Sequence, residues 1–264
     1  MIISTANQQM KNLAGLMKKA KERKKQKAFV VEGVKMFEEA PREQILQVYV
    51  STSFLQEDTH RRLLEGCRYE EVSDAVFKSI SDTQTPQGIL AVIRMPEYSF
   101  QELLKGEHTH LLILEGVQDP GNLGTMLRTG EGAGITGVIM SRTTVDLFNP
   151  KTIRSTMGSI YRVPFLVAED LGETLRQLKD KGVALYAAHL KGTASYDAFD
   201  YTKPCGFLIG NEGNGLSEET AALADTYIRI PMAGKVESLN AAVSAALLMY
   251  ECSRQRRKQD DNLV

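Results

Sequence analysis

The sequence predicts an α/β protein built as two units. Short apolar runs alternate with helical segments along almost the whole chain, the pattern of strands interleaved with helices. Met95-Pro96-Glu97 interrupts the pattern and divides it. Beyond that break the apolar runs are continuous, as expected of a mostly parallel sheet covered on both faces. A length of 264 residues suits one large domain or two ordinary ones.

The first unit is expected over residues 1–95. Gln8 to Arg23 reads as a helix with Leu13, Leu16, Met17 and Ala20 on one side. Phe29 to Gly33 is a strand, Val34 to Ala40 a helix and Ile45 to Val50 a strand. Phe54 to Glu65 is helical, Tyr69 to Val72 a strand, Asp74 to Ile80 a short helix and Ile89 to Ile93 a strand. Residues 96–108 are polar and read as a linker carrying a short helix. The second unit is expected over residues 109–264. Its strands are Leu111 to Leu114, Gly137 to Met140, Val163 to Val167, Val183 to Ala188, Gly206 to Ile209 and Tyr227 to Ile230. Its helices are Asn122 to Ala133, Pro150 to Met157, Leu171 to Lys181, Ser217 to Leu223 and Leu239 to Arg257.

Composition narrows the function classes. Hydrophobic residues at 42% and charged residues at 25% are the balance of a soluble globular chain. No apolar run approaches the roughly 20 residues that span a bilayer, and Met1 to Gln9 has no signal-peptide core. Cys67, Cys205 and Cys252 are far apart and odd in number, which points to a reducing, cytoplasmic setting. The histidines form no helical i, i+4 pair and have no nearby cysteine, so no metal is expected. The net charge of −1 conceals a basic cluster between Lys11 and Lys27. Local patches, not the whole-chain sum, set the attraction to phosphate backbones. Lys18, Lys19, Arg23, Lys24 and Lys25 are therefore candidate RNA contacts, with a solubilising helix face as the alternative. A second cluster, Arg254, Arg256, Arg257 and Lys258, complements the dipole at the end of the last helix.

Three loops follow strands of the second unit, where ligands of parallel sheets sit. One runs from Asp119 to Arg128; within it Asn122 suits a helix N-cap and Arg128 can pair with Glu131. Another is Gly210-Asn211-Glu212-Gly213-Asn214-Gly215. Its glycines permit close backbone approach, but its spacing fits neither a P-loop nor a dinucleotide fingerprint, and Glu212 would repel phosphate. Ser217 suits the cap of the helix that follows. The last loop runs from Ile230-Pro231-Met232 to Ser238-Leu239-Asn240 and leads into a helix opened by small residues. Taken singly, each loop is compatible with plain structure, although a turn alone does not explain Glu212 between glycines.

Together and in this order, the three loops strongly resemble the motifs of the SpoU/TrmH family of S-adenosylmethionine-dependent RNA ribose 2'-O-methyltransferases, within the SPOUT superfamily. The first motif matches Asn122 through Arg128, the second Gly210 through Gly213, and the third Ile230-Pro231-Met232 through Ser238-Leu239-Asn240. The resemblance covers about Leu111 to Arg257. Residues 1–95 are similar in layout to the L30e-like substrate-binding domain, through Val30-Val31-Glu32-Gly33 and Thr85-Pro86-Gln87-Gly88.

The resemblance implies a parallel sheet whose C-terminal part threads a deep trefoil knot, a rarity among folds. It implies S-adenosyl-L-methionine bound in that knot by Gly210, Ile230 and Leu239, with Ile209 and Met232 beside it. Arg128 takes the place of the catalytic arginine, surrounded by Asn122, Glu212, Ser238 and Asn240. A homodimer through the last helix is implied as well. The substrate is RNA, with ribosomal RNA (23S) favoured over transfer RNA because the first domain resembles a ribosomal RNA-binding module. Alternatives in other classes are a catalytically silent ribosome-assembly protein of this fold and an enzyme that methylates a base nitrogen. A guanidinium rarely loses its proton, so Arg128 is read as orienting a phosphate and stabilising an alkoxide rather than as a base.

Overall fold

A computed structural model of the chain describes residues 1–106 and 108–261. Glu107, in the expected linker, and residues 262–264, at the end of the expected second domain, lie outside the described residues. The chain divides into two compact units. Met1–Glu97 joins with Asp146–Tyr161, and Tyr98–Val145 joins with the chain from Arg162 onward.

The first unit begins with α1 (Gln8–Lys18), α2 (Ala20–Gln26), β1 (Ala28–Glu32) and α3 (Val34–Glu38). It continues with β2 (Ile45–Ser51), α4 (Asp58–Leu63), β3 (Tyr69–Val72), α5 (Asp74–Ile80) and β4 (Ile89–Arg94). Its sheet has the order β1-β4-β2-β3, with β4 antiparallel to both neighbours and β2 parallel to β3. The apolar stripe of α1, Met10, Leu13, Leu16 and Met17, packs with Val76 and Phe77 of α5 and with Val30, Leu90 and Val92 of the sheet.

The helix expected from Gln8 to Arg23 is broken. Lys19 is extended (φ −123°, ψ 113°), and Arg23 folds back over the break. Its Nη1 donates to Leu16 O (2.7 Å) and Met17 O (3.0 Å), carbonyls left unpaired where α1 ends, and its Nε donates to Asp146 Oδ2 (3.0 Å). Arg23 is 3% exposed. It is a structural tie, and the expectation that it contacts RNA is corrected. Lys18, Lys19, Lys24 and Lys25 are exposed.

The chain continues through α6 (Phe100–Leu103), β5 (His110–Leu114), α7 (Pro120–Ala133), β6 (Gly137–Ser141), α8 (Pro150–Thr156), β7 (Phe165–Ala168) and α9 (Leu171–Asp180). Then come β8 (Ala184–Ala188), β9 (Ala194–Ser195), β10 (Cys205–Ile209), α10 (Glu218–Ala222), β11 (Thr226–Arg229) and α11 (Ala241–Asp261). Two boundary expectations differ from this. The stretch 96–108 is not a free linker: Leu103 is fully buried among Leu111, Ile113 and Leu175, with Tyr98 and Phe100 packed against them. A capping box between Ser99 and Glu102 starts α6. Nor is 109–264 one uninterrupted domain, because α8 packs on β1 of the first unit. The segment is fixed there by Asp146 on Arg23, by Phe148 against Phe29 (4.8 Å between centroids) and by Tyr161 Oη donating to Met36 O (2.8 Å). Apolar periodicity reports that a helix has a buried face, not which sheet buries it.

The second sheet has seven strands in the order β7-β6-β5-β10-β8-β11-β9, every neighbouring pair parallel. The carboxyl ends of β5, β10, β8 and β11 therefore open side by side at one end of the sheet. α11 packs along α7 and also reaches β10 and β5. The two-residue β9 was too short to foresee, and β7 starts after Pro164, which has no N–H to give a ladder.

Candidate functional site

The loop after β5 is set by Asp119. Its Oδ1 accepts from Asn122 N (2.8 Å), and Pro120 fills the first turn of α7. Asp119, not Asn122 as expected, is the N-cap, which leaves the Asn122 side chain for other contacts. The loop after β10 closes on itself, Asn211 and Gly215 exchanging backbone hydrogen bonds of 3.0 and 2.9 Å. A Cβ at Gly210 would lie 2.1 Å from the Gly215 carbonyl carbon, so this turn closes only over a glycine. Asn211 Nδ2 donates to Gly116 O (2.9 Å) and binds the second loop to the first.

Two carboxylates clasp these loops from opposite sides. Glu212 reaches across from the β10 loop and accepts from Gln118 N (2.9 Å), Asp119 N (3.1 Å) and Asn122 Nδ2 (3.0 Å). Glu115 reaches back from the β5 loop and accepts from Ser217 N (2.8 Å), Ser217 Oγ (2.8 Å) and Thr220 Oγ1 (2.6 Å). Partial burial pushes the Glu212 carboxyl up, but donation from Asn122 and from the two backbone N–H groups outweighs it and holds the group below its ordinary value. Glu212 is thus an anion committed to protein donors. The network goes on through Asn122, whose Oδ1 accepts from Asn240 Nδ2 (3.0 Å). Asn240 Oδ1 in turn accepts from Ala242 N (2.8 Å) and Val243 N (3.3 Å) at the start of α11. One chain of hydrogen bonds, Glu212–Asn122–Asn240, joins all three loops.

The loops surround an open cavity of about 260 Å³. Ile209, Gly210, Glu212, Ile230, Met232, Ser238 and Leu239 line it. Asn122 and Asn240 are not among its lining residues; their hydrogen bond ties together the loops that form it. Arg128 does not line the cavity. It is exposed on α7, and six residues of helix put it about 120° around the axis from Asn122. Glu131, its expected partner, binds Arg162 instead, with Arg162 Nη2 donating to Glu131 Oε2 (3.1 Å). Sequence reasoning missed Glu115, because an acid at a strand end has no local partner to betray it. It also missed His189 at the end of β8, although a histidine directly beyond a buried parallel strand is a signal that could have been read. Among the described residues, no group of three or more His, Cys, Asp or Glu side chains could hold a metal, and no helix is long and apolar enough to cross a membrane.

Residues 109–250 match the SpoU rRNA Methylase family, and residues 7–91 match the MRM3-like substrate binding domain. This chain belongs to the SpoU rRNA methylase family. It is 36% identical over 252 residues to the 23S rRNA (guanosine(2553)-2'-O)-methyltransferase RlmP of Bacillus subtilis (strain 168), a match covering 94% of this SpoU chain and 97% of RlmP. The crystal structure of an AdoMet-bound rRNA methyltransferase from Sinorhizobium meliloti superposes with a TM-score of 0.85 at 31% identity, over 96% of this chain and 97% of that one. The SpoU methyltransferase AviRb from Streptomyces viridochromogenes, in complex with AdoMet, superposes with a TM-score of 0.86 at 26% identity, over 95% and 98%.

Proposed function

We propose that this SpoU methylase transfers a methyl group from S-adenosylmethionine to a ribose 2'-hydroxyl of 23S ribosomal RNA. The observation that carries the reading is the hydrogen-bonded chain Glu212–Asn122–Asn240, which joins the loops after β5, β10 and β11 around one cavity. Ribosomal RNA is favoured over transfer RNA because RlmP and the Sinorhizobium meliloti enzyme, which match both units, are rRNA methyltransferases.

The cavity fits the cofactor. Ile209, Ile230 and Leu239 offer apolar surface for the faces of an adenine, and the turn closed over Gly210 brings peptide groups to the wall. When bound, S-adenosylmethionine supplies a methyl group on a cationic sulfur. Glu212, Asn122 and Asn240 hold the loops in place before RNA arrives, so little ordering remains at the moment of reaction. Ser238 lies at the edge where the ribose enters. The Arg128 guanidinium orients the adjacent RNA phosphate and stabilises the alkoxide as it forms, while that phosphate or a water takes the proton.

Arg128 serves the cavity of a second copy in this reading. Four residues along α7, a Cβ at Gly132 would lie 3.0 Å from the Tyr250 hydroxyl, so the exposed side of α7 adjoins the exposed side of α11. Val243 and Tyr250 on α11 are 48% and 45% exposed. A homodimer across α11 covers this apolar surface and carries Arg128 toward its partner. In this reading the C-terminal chain threads a trefoil knot before α11 packs on α7, β10 and β5. Lys18, Lys19, Lys24 and Lys25 contact RNA phosphates from the first unit, and the protein works in the cytoplasm with its ribosomal substrate.

Ribose methylations mapped in total RNA from cells with and without the protein test this function. One 2'-O-methyl in 23S rRNA is expected to vanish without it and to return with the wild-type chain. Unchanged ribose methylation, or loss of a base methyl instead, would overturn the proposal.

A further inference from the structure

β8 ends at Ala188 and the chain turns at once. His189 N donates to Ile228 O (3.1 Å), and His189 O accepts from Gly192 N (2.9 Å). The turn is tight, since a Cβ at Gly192 would lie 2.8 Å from the Ile228 carbonyl carbon. Within it, His189 Nδ1 accepts from Lys191 N (3.1 Å). The imidazole also stacks on Tyr227, with centroids 4.8 Å apart and planes 29° apart. Lys191 is itself tethered, its Nζ donating to Glu218 Oε1 (2.6 Å).

These contacts fix one half-buried imidazole on the cavity wall and all leave the same atom unused. With Nδ1 accepting, a neutral imidazole carries its proton on Nε2. Nε2 makes no hydrogen bond among the described residues. A ring so restrained loses little freedom when a ligand meets it, and a donor held at a binding wall selects for an acceptor.

We propose that His189 is a cofactor-binding residue whose Nε2–H donates to an acceptor on the adenosyl part of S-adenosylmethionine. The inference rests on reading the cavity as the cofactor site. Ile209, Ile228 and Leu239, which share the cavity with His189, suit a flat base. The edge of that base and its ribose carry nitrogen and oxygen acceptors that match a fixed planar donor. The sulfonium and ammonium groups of the cofactor accept no hydrogen bond. Its carboxylate is the competing acceptor, and the choice of probe separates the two.

Calorimetric binding of S-adenosylhomocysteine and of 5'-methylthioadenosine, which lacks the amino-acid part, tests the assignment in mildly alkaline buffer. His189→Ala is expected to weaken both ligands about five- to tenfold, the worth of one neutral hydrogen bond. His189→Gln, whose amide N–H can take the place of Nε2–H, is expected to recover most of the loss for both. Wild-type affinity in His189→Ala would overturn the proposal. So would a loss confined to S-adenosylhomocysteine, which would assign the contact to the carboxylate, and so would an equal loss in the Ala and Gln variants, which would leave only a packing role for the ring. Wild-type protein that binds neither ligand would instead overturn the reading of the cavity.

Discussion

Asn122 and Arg128 stand six residues apart on α7 and belong to one sequence motif, yet their surroundings are opposite. Asn122 is held on both sides, donating to Glu212 and accepting from Asn240. Arg128 is exposed, and its expected partner Glu131 is bound to Arg162. The region around Asn122 is a cradle that one chain completes by itself, braced by two carboxylates. The region around Arg128 is open surface: Gly132, one turn further along α7, adjoins Tyr250, an exposed side chain of α11. The difference teaches that a motif can mix groups in separate surroundings: Asn122 builds the loop network, and Arg128, in the proposed function, serves the cavity of a second copy. Perturbations of the two regions should separate accordingly.

The largest effect is expected from Arg128→Ala. Methyl transfer in single-turnover assays should fall by about 10³-fold, the scale of removing one charge-stabilising donor, while calorimetric affinity for S-adenosylhomocysteine stays near wild type. A parallel loss of affinity would erase the contrast between the regions. Tyr250→Asp should give monomers by analytical ultracentrifugation and reduce turnover by about 10²-fold, by burying a charge in the proposed α11 interface. A monomer with full activity would place Arg128 at its own cavity.

Glu115→Ala perturbs the cradle and should reverse the pattern. Ser217 and Thr220 lose their acceptor, thermal stability falls by an amount equivalent to about 1 kcal/mol, and S-adenosylhomocysteine binds about five- to tenfold more weakly while the dimer persists. Glu212 adds a pH signature. Its carboxyl is held below its ordinary value of 4.5 in the folded chain, so its contribution to stability is present above that value and disappears as the pH falls through the lower, folded value. Denaturation followed from neutral pH into that acidic window should show a smaller loss of stability in Glu212→Gln than in wild type. An identical acid profile would mean that the clasp does not hold an anion. The smallest effect belongs to the first unit. Lys24→Ala should weaken RNA binding only a few-fold and lower the slope of log affinity against log salt by about 1, with stability unchanged. Arg23→Ala, one residue away, should instead unfold the chain more readily, by about 3 kcal/mol, because Asp146 loses its ion-pair partner and the Leu16 and Met17 carbonyls lose their donor.

Much of this was legible in the sequence. Continuous apolar strands foretold the parallel sheet, and the order of the glycine-, proline- and asparagine-bearing loops foretold that β5, β10 and β11 would meet at one end. Glu212 stood out because a turn does not need an acid. What escaped lies in contacts between residues far apart along the chain. Glu115 matters through Ser217, 102 residues away, and Arg23 through Asp146, 123 residues away. The same distance hid the affiliation of α8, whose pattern is that of any amphipathic helix. The place of His189 directly beyond a buried strand was legible, but the hydrogen bond from Lys191 N to its Nδ1 exists only in the folded turn.

The division of labour between cradle and partner can be tested by mixing two inactive proteins. Arg128→Ala keeps its cradle, and Leu239→Arg keeps Arg128 but fills its own cavity. After subunit exchange, the hybrid dimer pairs an intact cradle with the partner's Arg128, and methyl transfer to 23S rRNA is expected to return. Hybrids that form, as weighed by native mass spectrometry, and still transfer no methyl group would contradict the account.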